Sequence, residues 1–298
     1  MVFLERLNRA VEYMEDRLAG DLDYQEAGRI ACCSVYNFQR MFSYILDIPL
    51  SEYVRRRRMT LAAFELQQGD TKIIDLAIKY GYDSQDSFAR AFQRFHGVTP
   101  SRARNRGVML RAYPRVSFHI SVGGDREMRY SIVDKEAFEV FGIEEIISSV
   151  GDPACKSVPA FWQKCHDSGA YERLFDAANA RKRGEIYKGM CAINAALNYR
   201  NTGDLTFPYM LFAFTTEQSK PEGYTRVKIP TQTWAVFTSE EHGDDEIGAM
   251  TSTLWSRVFK EWLPTSGYRK LEGPDIEIYG SSGNGNYYSE VWIPVAKE

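Results

Sequence analysis

Arg40 and Arg90 lie fifty residues apart, each centred in a five-residue segment that begins and ends in phenylalanine, Phe38 to Phe42 and Phe88 to Phe92. A guanidinium can donate two parallel hydrogen bonds to guanine, and glutamines such as Gln39 and Gln85 can pair with adenine. Tyr36 could pack on thymine methyls. A different chemistry ends the chain. In "YYSEVWIPVAKE", strand alternation puts Tyr288, Glu290 and Trp292 on one face and Val291 and Ile293 on the other. A carboxylate between two large aromatics suits a lipophilic cation: aromatic faces attract cations, and a partly desolvated acid binds them more strongly than water allows. The plainer reading is an exposed strand face with an ordinary surface glutamate.

Little else in the chain has catalytic or metal-binding spacing. His96, His119, His166 and His242 are scattered, and neither a Cys–His pair nor a Ser–His–Asp set emerges. The segment "GSSGNGN" lacks a following Lys-Ser/Thr, sits between two strand-like runs and reads as a hairpin. Five cysteines without paired spacing fit reduced thiols in a cytoplasmic protein. The N-terminus carries charges throughout, unlike a signal peptide, and no run of about 18 apolar residues exists to span a membrane. No cofactor is expected.

The elements that must hold Arg40 and Arg90 form a repeat. Shifted by fifty, Ala27 falls on Ala77, Ser34 on Ser84, Phe38 on Phe88, Phe42 on Phe92 and Ser51 on Ser101. Leu4, Leu7, Val11, Met14 and Leu18 mark one face of a first helix that Gly20 ends. Asp21 or Asp23 can cap a second helix, and Ser34 a third that turns Phe38 and Phe42 inward. Tyr36, Asn37, Gln39 and Arg40 are left on its other faces. This is a helix-turn-helix pattern. In the second copy Thr71 caps, Gly81 supplies a positive-φ turn, and Ser84 caps a helix that leaves Gln85, Asp86, Ser87 and Arg90 outward. Thr99 then caps a last short helix with Pro100 in its first turn.

Between the copies Ser51 can cap a long helix that Gly69 ends. About fifteen helical residues span roughly 22 Å, and successive major-groove faces lie about 34 Å apart. With the thickness of each unit added, this rod can set two recognition helices one DNA turn apart, so one chain reads two half-sites by duplication. Arg55 to Arg58 circle the rod, and one or two of them, Arg55 and Arg57 foremost, are expected to meet phosphate. Residues 34–106 hold twelve Lys/Arg against seven Asp/Glu, whereas residues 108–298 hold twenty-one against twenty-six. That asymmetry fits a nucleic-acid-binding half joined to another kind of half.

Residues 1–106, through "FQRMFSYILDIPLSEYVRRRRM" and "GYDSQDSFARAFQRFHGVTPSRAR", resemble the AraC/XylS transcriptional regulators with an N-terminal DNA-binding domain. The resemblance implies an all-α, homeodomain-like double helix-turn-helix bundle that binds double-stranded promoter DNA and often activates through RNA polymerase. It implies base contacts at Tyr36, Gln39 and Arg40, and at Gln85, Asp86, Ser87 and Arg90. Asp86 departs from the family's pattern: an acid repels phosphate but can accept from cytosine.

After a linker, residues 108–126, the pattern becomes strand-like at 129–133, 138–146, 189–195, 209–215, 224–229, 233–238, 275–279 and 287–295. Two helices, 159–180 and 245–268, interrupt these runs, each with an early Trp. This reads as a duplicated strand–helix–strand unit, an α+β domain with an antiparallel sheet. Residues 127–298, with the closing "EVWIPV", resemble the GyrI-like effector-binding domains. That resemblance implies a small-molecule pocket between the two repeats with Glu290 as its acid, and Trp162, Tyr209, Trp234, Tyr279 and Trp292 as aromatic candidates. The pair of domains, 1–107 and 127–298, resembles the right-origin-binding type of AraC-like regulator. The expected function is a ligand-responsive activator and not an enzyme. The alternatives make the second domain a small-molecule hydrolase or a protein-interaction module.

Overall fold

The structure, a computed structural model, describes residues 2–69, 71–105, 107–119, 127–148, 157–179, 193–200, 202, 206–283 and 286–297. Seven helices are described between Val2 and Ala103: α1 Val2–Glu15, α2 Tyr24–Ile30, α3 Val35–Leu46, α4 Leu50–Gln68, α5 Ile73–Lys79, α6 Gln85–His96 and α7 Pro100–Ala103. Asp23, Ser34, Ser84 and Thr99 each accept a backbone N–H in the first turn of the helix they precede. Two expected caps differ. Helix α4 begins one residue earlier than its expected cap Ser51, after Pro49, whose fixed φ suits a helix entry. Helix α5 follows Lys72, not Thr71, with no side-chain cap.

The duplication also carries a shift. Ala31 and Tyr80 close α2 and α5 with the same backbone pattern, and Cys33 N bonds to Gly28 O as Tyr82 N bonds to Ala77 O. The leading helices are therefore related by forty-nine residues and the recognition helices, Ser34 to Ser84, by fifty. Ala77 matches Gly28 rather than Ala27, and the second turn is one residue longer. Gly81 takes φ +76 there, as expected.

Of the expected linker, residues 108–119 are described, and they lie along the helices as a strap. Phe118 exchanges two hydrogen bonds with the Asn8 side chain, and Tyr113 N and Val116 N donate to Thr60 Oγ1 and Tyr53 Oη. Arg57 donates to Tyr113 O at 2.6 Å and pairs with Glu15 at 2.7 Å. An extended segment without sheet partners thus has its backbone groups satisfied by side chains.

The second half holds β1 Arg129–Lys135, β2 Phe138–Ser148, α8 Ser157–Asp167, α9 Ala170–Ala177, β3 Asn194–Leu197, β4 Thr206–Phe214, β5 Thr225–Ile229, β6 Gln232–Thr238, α10 Ile247–Arg257, β7 Tyr268–Lys270, β8 Asp275–Gly283 and β9 Asn286–Lys297. All described pairings are antiparallel, in the order β1-β6-β9-β8-β3-β4-β2-β5, with β7 on β9. Exchanging β1 with β5, β2 with β6, β3 with β8 and β4 with β9 reverses that order, so the sheet is two copies of one unit joined at the β3–β8 seam. The single helix expected over 159–180 is two helices, because Gly169 takes φ +67 between them. The second helix continues from α10 through a π-helical turn, Val258–Trp262. The expected strand 189–195 lies mostly outside the described residues.

Both repeats place their helices on one face of the sheet. Phe141, Leu211 and Tyr279 pack with α8 and α9, while Phe237, Val291 and Ile293 pack with Trp255 and Phe259. The opposite face carries Trp234, Val236, Ile276, Ile278 and Trp292. The helix-side core of the second repeat is continuous with Leu7, Phe38, Phe42 and Tyr53 of the first helix-turn-helix unit. The second unit has a separate core around Leu76, Phe88 and Phe92.

Candidate functional site

The duplicated recognition helices end in opposite surroundings. On α6, Gln85, Asp86 and Arg90 are exposed and Ser87 half-buried. On α3, Tyr36, Asn37 and Gln39 are buried, and the Arg40 side chain is 9% exposed. The second half of the chain covers them. Glu272 accepts from Ser34 N at 2.6 Å and from Asn37 Nδ2 at 3.1 Å. The Tyr36 ring lies 4.6 Å from that of Phe207, and Tyr44 stacks on Trp255 at 5.9 Å. Arg40 donates to Asp275 at 2.8 Å, reaches within 3.6 Å of Glu277, and lies 3.7 Å over the Trp255 ring. Burial works against the Arg40 cation, but Tyr36, Tyr44, Asp275 and Glu277 outweigh it and hold its pKa above the usual value.

Arg40 packs at the seam between the two repeats. On β8, alternation turns Asp275, Glu277 and Tyr279 to the helix side, at the β3–β8 seam. Glu277 is 7% exposed and accepts from Trp255 Nε1 at 2.7 Å and from Tyr279 Oη at 2.9 Å. Trp162 Nε1 donates to Tyr209 Oη at 2.9 Å, and Trp162 meets Tyr279 edge to face at 5.7 Å. Burial, then the Glu277 charge, raises both tyrosine pKa values well above normal, so both remain phenols. Asp275 is fully buried between Arg40 and Lys270, the latter at 2.8 Å.

The seven residues expected to line one ligand site fall into two groups. Trp162, Tyr209 and Tyr279 pack together beside Glu277 on the helix side of the seam. Glu290, Trp292 and Trp234 lie on the opposite face of the sheet, where Trp292 Nε1 donates to Glu290 at 2.8 Å and Lys135 sits 4.2 Å over the Trp292 ring. Tyr288 covers Gly280. Burial raises the Glu290 pKa, against hydrogen bonds from Trp292 and Thr238 and the charge of Lys135. Sequence reading overlooked Glu277 and Trp255. The alternation in "DIEIY", two acids and a tyrosine on one strand face, was the available signal for Glu277; Trp255 is joined to it only by tertiary packing.

The expected phosphate contacts also divide. Arg57 points inward to Glu15 and Tyr113 O and is closed to a phosphate. Arg55 shares Glu52 with Arg56 at the wall of a cleft of about 550 Å³, where Arg94 and Arg111 add two more cations. Among the described residues no cluster of His, Cys, Asp and Glu could hold a metal ion, and no helix is long and apolar enough to cross a membrane.

A helix-turn-helix domain family matches residues 28–106, and the GyrI-like small-molecule-binding domain family matches residues 128–296. The chain belongs to the AraC-type regulators with a GyrI-like domain. This regulator is 37% identical over 98 residues to the transcriptional activator AarP of Providencia stuartii, 33% of the regulator and 73% of AarP. It is 35% identical over 96 residues to the regulatory protein SoxS of Salmonella typhimurium, 32% of the regulator and 90% of SoxS. Over its second half it is similar to SAV2435, solved bound to tetraphenylphosphonium, with TM-score 0.43 and 18% identity over 57% of the regulator and 94% of that chain. The regulator is a DNA-binding transcriptional regulator with a small-molecule-binding domain.

Proposed function

We propose that the regulator is a cytoplasmic activator that reads two successive major grooves with α3 and α6, contacts RNA polymerase, and answers a lipophilic cation held between its two sheet repeats. The observation that carries the ligand class is Glu277, a carboxylate buried among Trp255, Tyr279, Tyr209 and Trp162. An acid in such surroundings favours a cation with apolar bulk, because the aromatic faces and the charge attract it together. Glu290 is the rival counter-ion, but Lys135 and Trp292 already attend it. A hydrolytic role for the second domain is disfavoured, since Glu277 is tied to two donors and the neighbouring acid, Asp275, is held by Arg40 and Lys270. Residues 1–107 are assigned to DNA and 127–298 to the ligand.

Calorimetry with tetraphenylphosphonium and with neutral triphenylphosphine oxide tests the ligand class. The cation is expected to bind at least tenfold more tightly, about 1.4 kcal/mol. Equal binding of the two compounds would remove charge from the recognition.

A further inference from the structure

We infer that Arg40 is a tethered occupant of the regulator's own ligand cleft, so that a cationic ligand and the first DNA-reading helix compete for Glu277. The inference rests on the proposed ligand site and concerns what fills it without a ligand. The Arg40 guanidinium has the chemistry expected of that ligand: a delocalised cation lying 3.7 Å over Trp255 and 3.6 Å from Glu277. Its helix carries Tyr36 and Asn37 into the same contact. A helix face pressed on Phe207, Glu272 and Trp255 cannot lie in a major groove at the same time, so the cleft holds either α3 or a ligand, and DNA takes α3 only when the cleft has released it.

Two further observations fit a contact built to open. Among the described residues, Tyr36 Oη and Asn37 Oδ1 are buried without a hydrogen-bond partner. Both belong to the face that would meet base edges, and a buried polar atom without a partner destabilises the closed arrangement. The acids are also unequally supported. When Arg40 leaves, Asp275 keeps Lys270 at 2.8 Å, whereas Glu277 keeps the neutral donors Trp255 and Tyr279. A buried carboxylate stripped of its cation is costly, and a new cation offsets that cost. The ligand thus shifts the equilibrium through its preference for the state that α3 has vacated.

The test uses the full chain and tetraphenylphosphonium, with binding measured by calorimetry for wild type, Arg40→Ala, Glu272→Ala and Glu277→Gln. Competition predicts that Arg40→Ala binds the cation at least tenfold more tightly than wild type. Glu272→Ala, which loosens α3 but touches neither Glu277 nor its aromatics, should shift affinity in the same direction. Glu277→Gln should bind at least tenfold more weakly. Weakening in Glu277→Gln without tightening in either α3-releasing variant overturns the competition and leaves the ligand site standing. Undiminished binding by Glu277→Gln overturns the ligand site itself, and no binding by any of the four proteins at millimolar cation overturns both. If Arg40→Ala does not fold, Arg40→Met, which keeps the bulk and drops the charge, takes its place.

Discussion

Arg40 and Arg90 occupy matching positions in the two helix-turn-helix units, yet Arg40 is held 2.8 Å from a buried aspartate while Arg90 stands in solvent. The same Phe–x–Arg–x–Phe frame has been given two environments by what packs outside the unit. The recognition helix of the second unit stands exposed; on the competition proposed above, the first becomes available only when α3 is released.

That asymmetry predicts unequal mutational effects. Without ligand, Arg90→Ala should lower affinity for a duplex selected by the full chain by about 1–3 kcal/mol, whereas Arg40→Ala should not lower it. With saturating tetraphenylphosphonium both substitutions should cost a similar amount. Electrophoretic or fluorescence titration at fixed salt reads both arms. An equal loss from Arg40→Ala without ligand would mean that α3 already meets DNA.

Arg57 should behave as a structural residue. Its pair with Glu15 is largely buried and also fixes the strap through Tyr113 O. Removing one partner of a buried pair typically costs about 3–5 kcal/mol. Urea unfolding of Arg57→Ala should show a loss of that order, and the salt dependence of DNA binding should stay unchanged. A slope reduced by about one would instead count Arg57 among the phosphate contacts.

His96 should make stability depend on pH. Burial holds its pKa below 6.5, with the nearby Arg111 charge acting in the same direction and the Met59 carbonyl against it. Its Nδ1 accepts from Arg111 N, so Nε2 carries the proton given to Met59 O. The second, titrating proton would have to displace the Arg111 N–H at Nδ1, so the unfolded chain binds it more readily than the folded one, and stability falls as pH drops below 6.5. Urea midpoints at pH 7.5 and 5.5 should differ in wild type and differ less in His96→Asn.

How far the sequence foretold this can be argued from particular residues. Ser34, Ser84 and Thr99 were legible as caps because a cap is settled within four residues of chain. The face shared by Glu290 and Trp292 was legible because alternation is a property of the strand alone. The burial of Tyr36 was not, since Phe207 lies 171 residues away and nothing local records their meeting. The acid of the cleft was only partly legible. "DIEIY" and "SEVWI" alternate alike, and which face meets the helices depends on how the sheet packs.

The two acids give the last prediction. Burial raises the Glu290 pKa above 4.5, although hydrogen bonds from Trp292 and Thr238 and the charge of Lys135 oppose it. The folded chain therefore holds this proton more tightly than the unfolded chain. Stability is retained at low pH and declines as pH rises from 4.5 through the raised value. At pH 7 the ionised carboxylate opposes folding, and Glu290→Gln, which keeps the shape and drops the charge, should unfold at higher urea than wild type. That advantage should vanish below about pH 4, where both side chains are neutral. The same variant separates the faces of the sheet functionally. If the ligand lies against Glu277, Glu290→Gln binds tetraphenylphosphonium as wild type does, while Glu277→Gln loses at least tenfold. If instead Glu290→Gln loses that affinity and Glu277→Gln keeps it, the counter-ion belongs to the last strand. The cation would then lie on the face away from the helices, where Arg40 cannot compete with it.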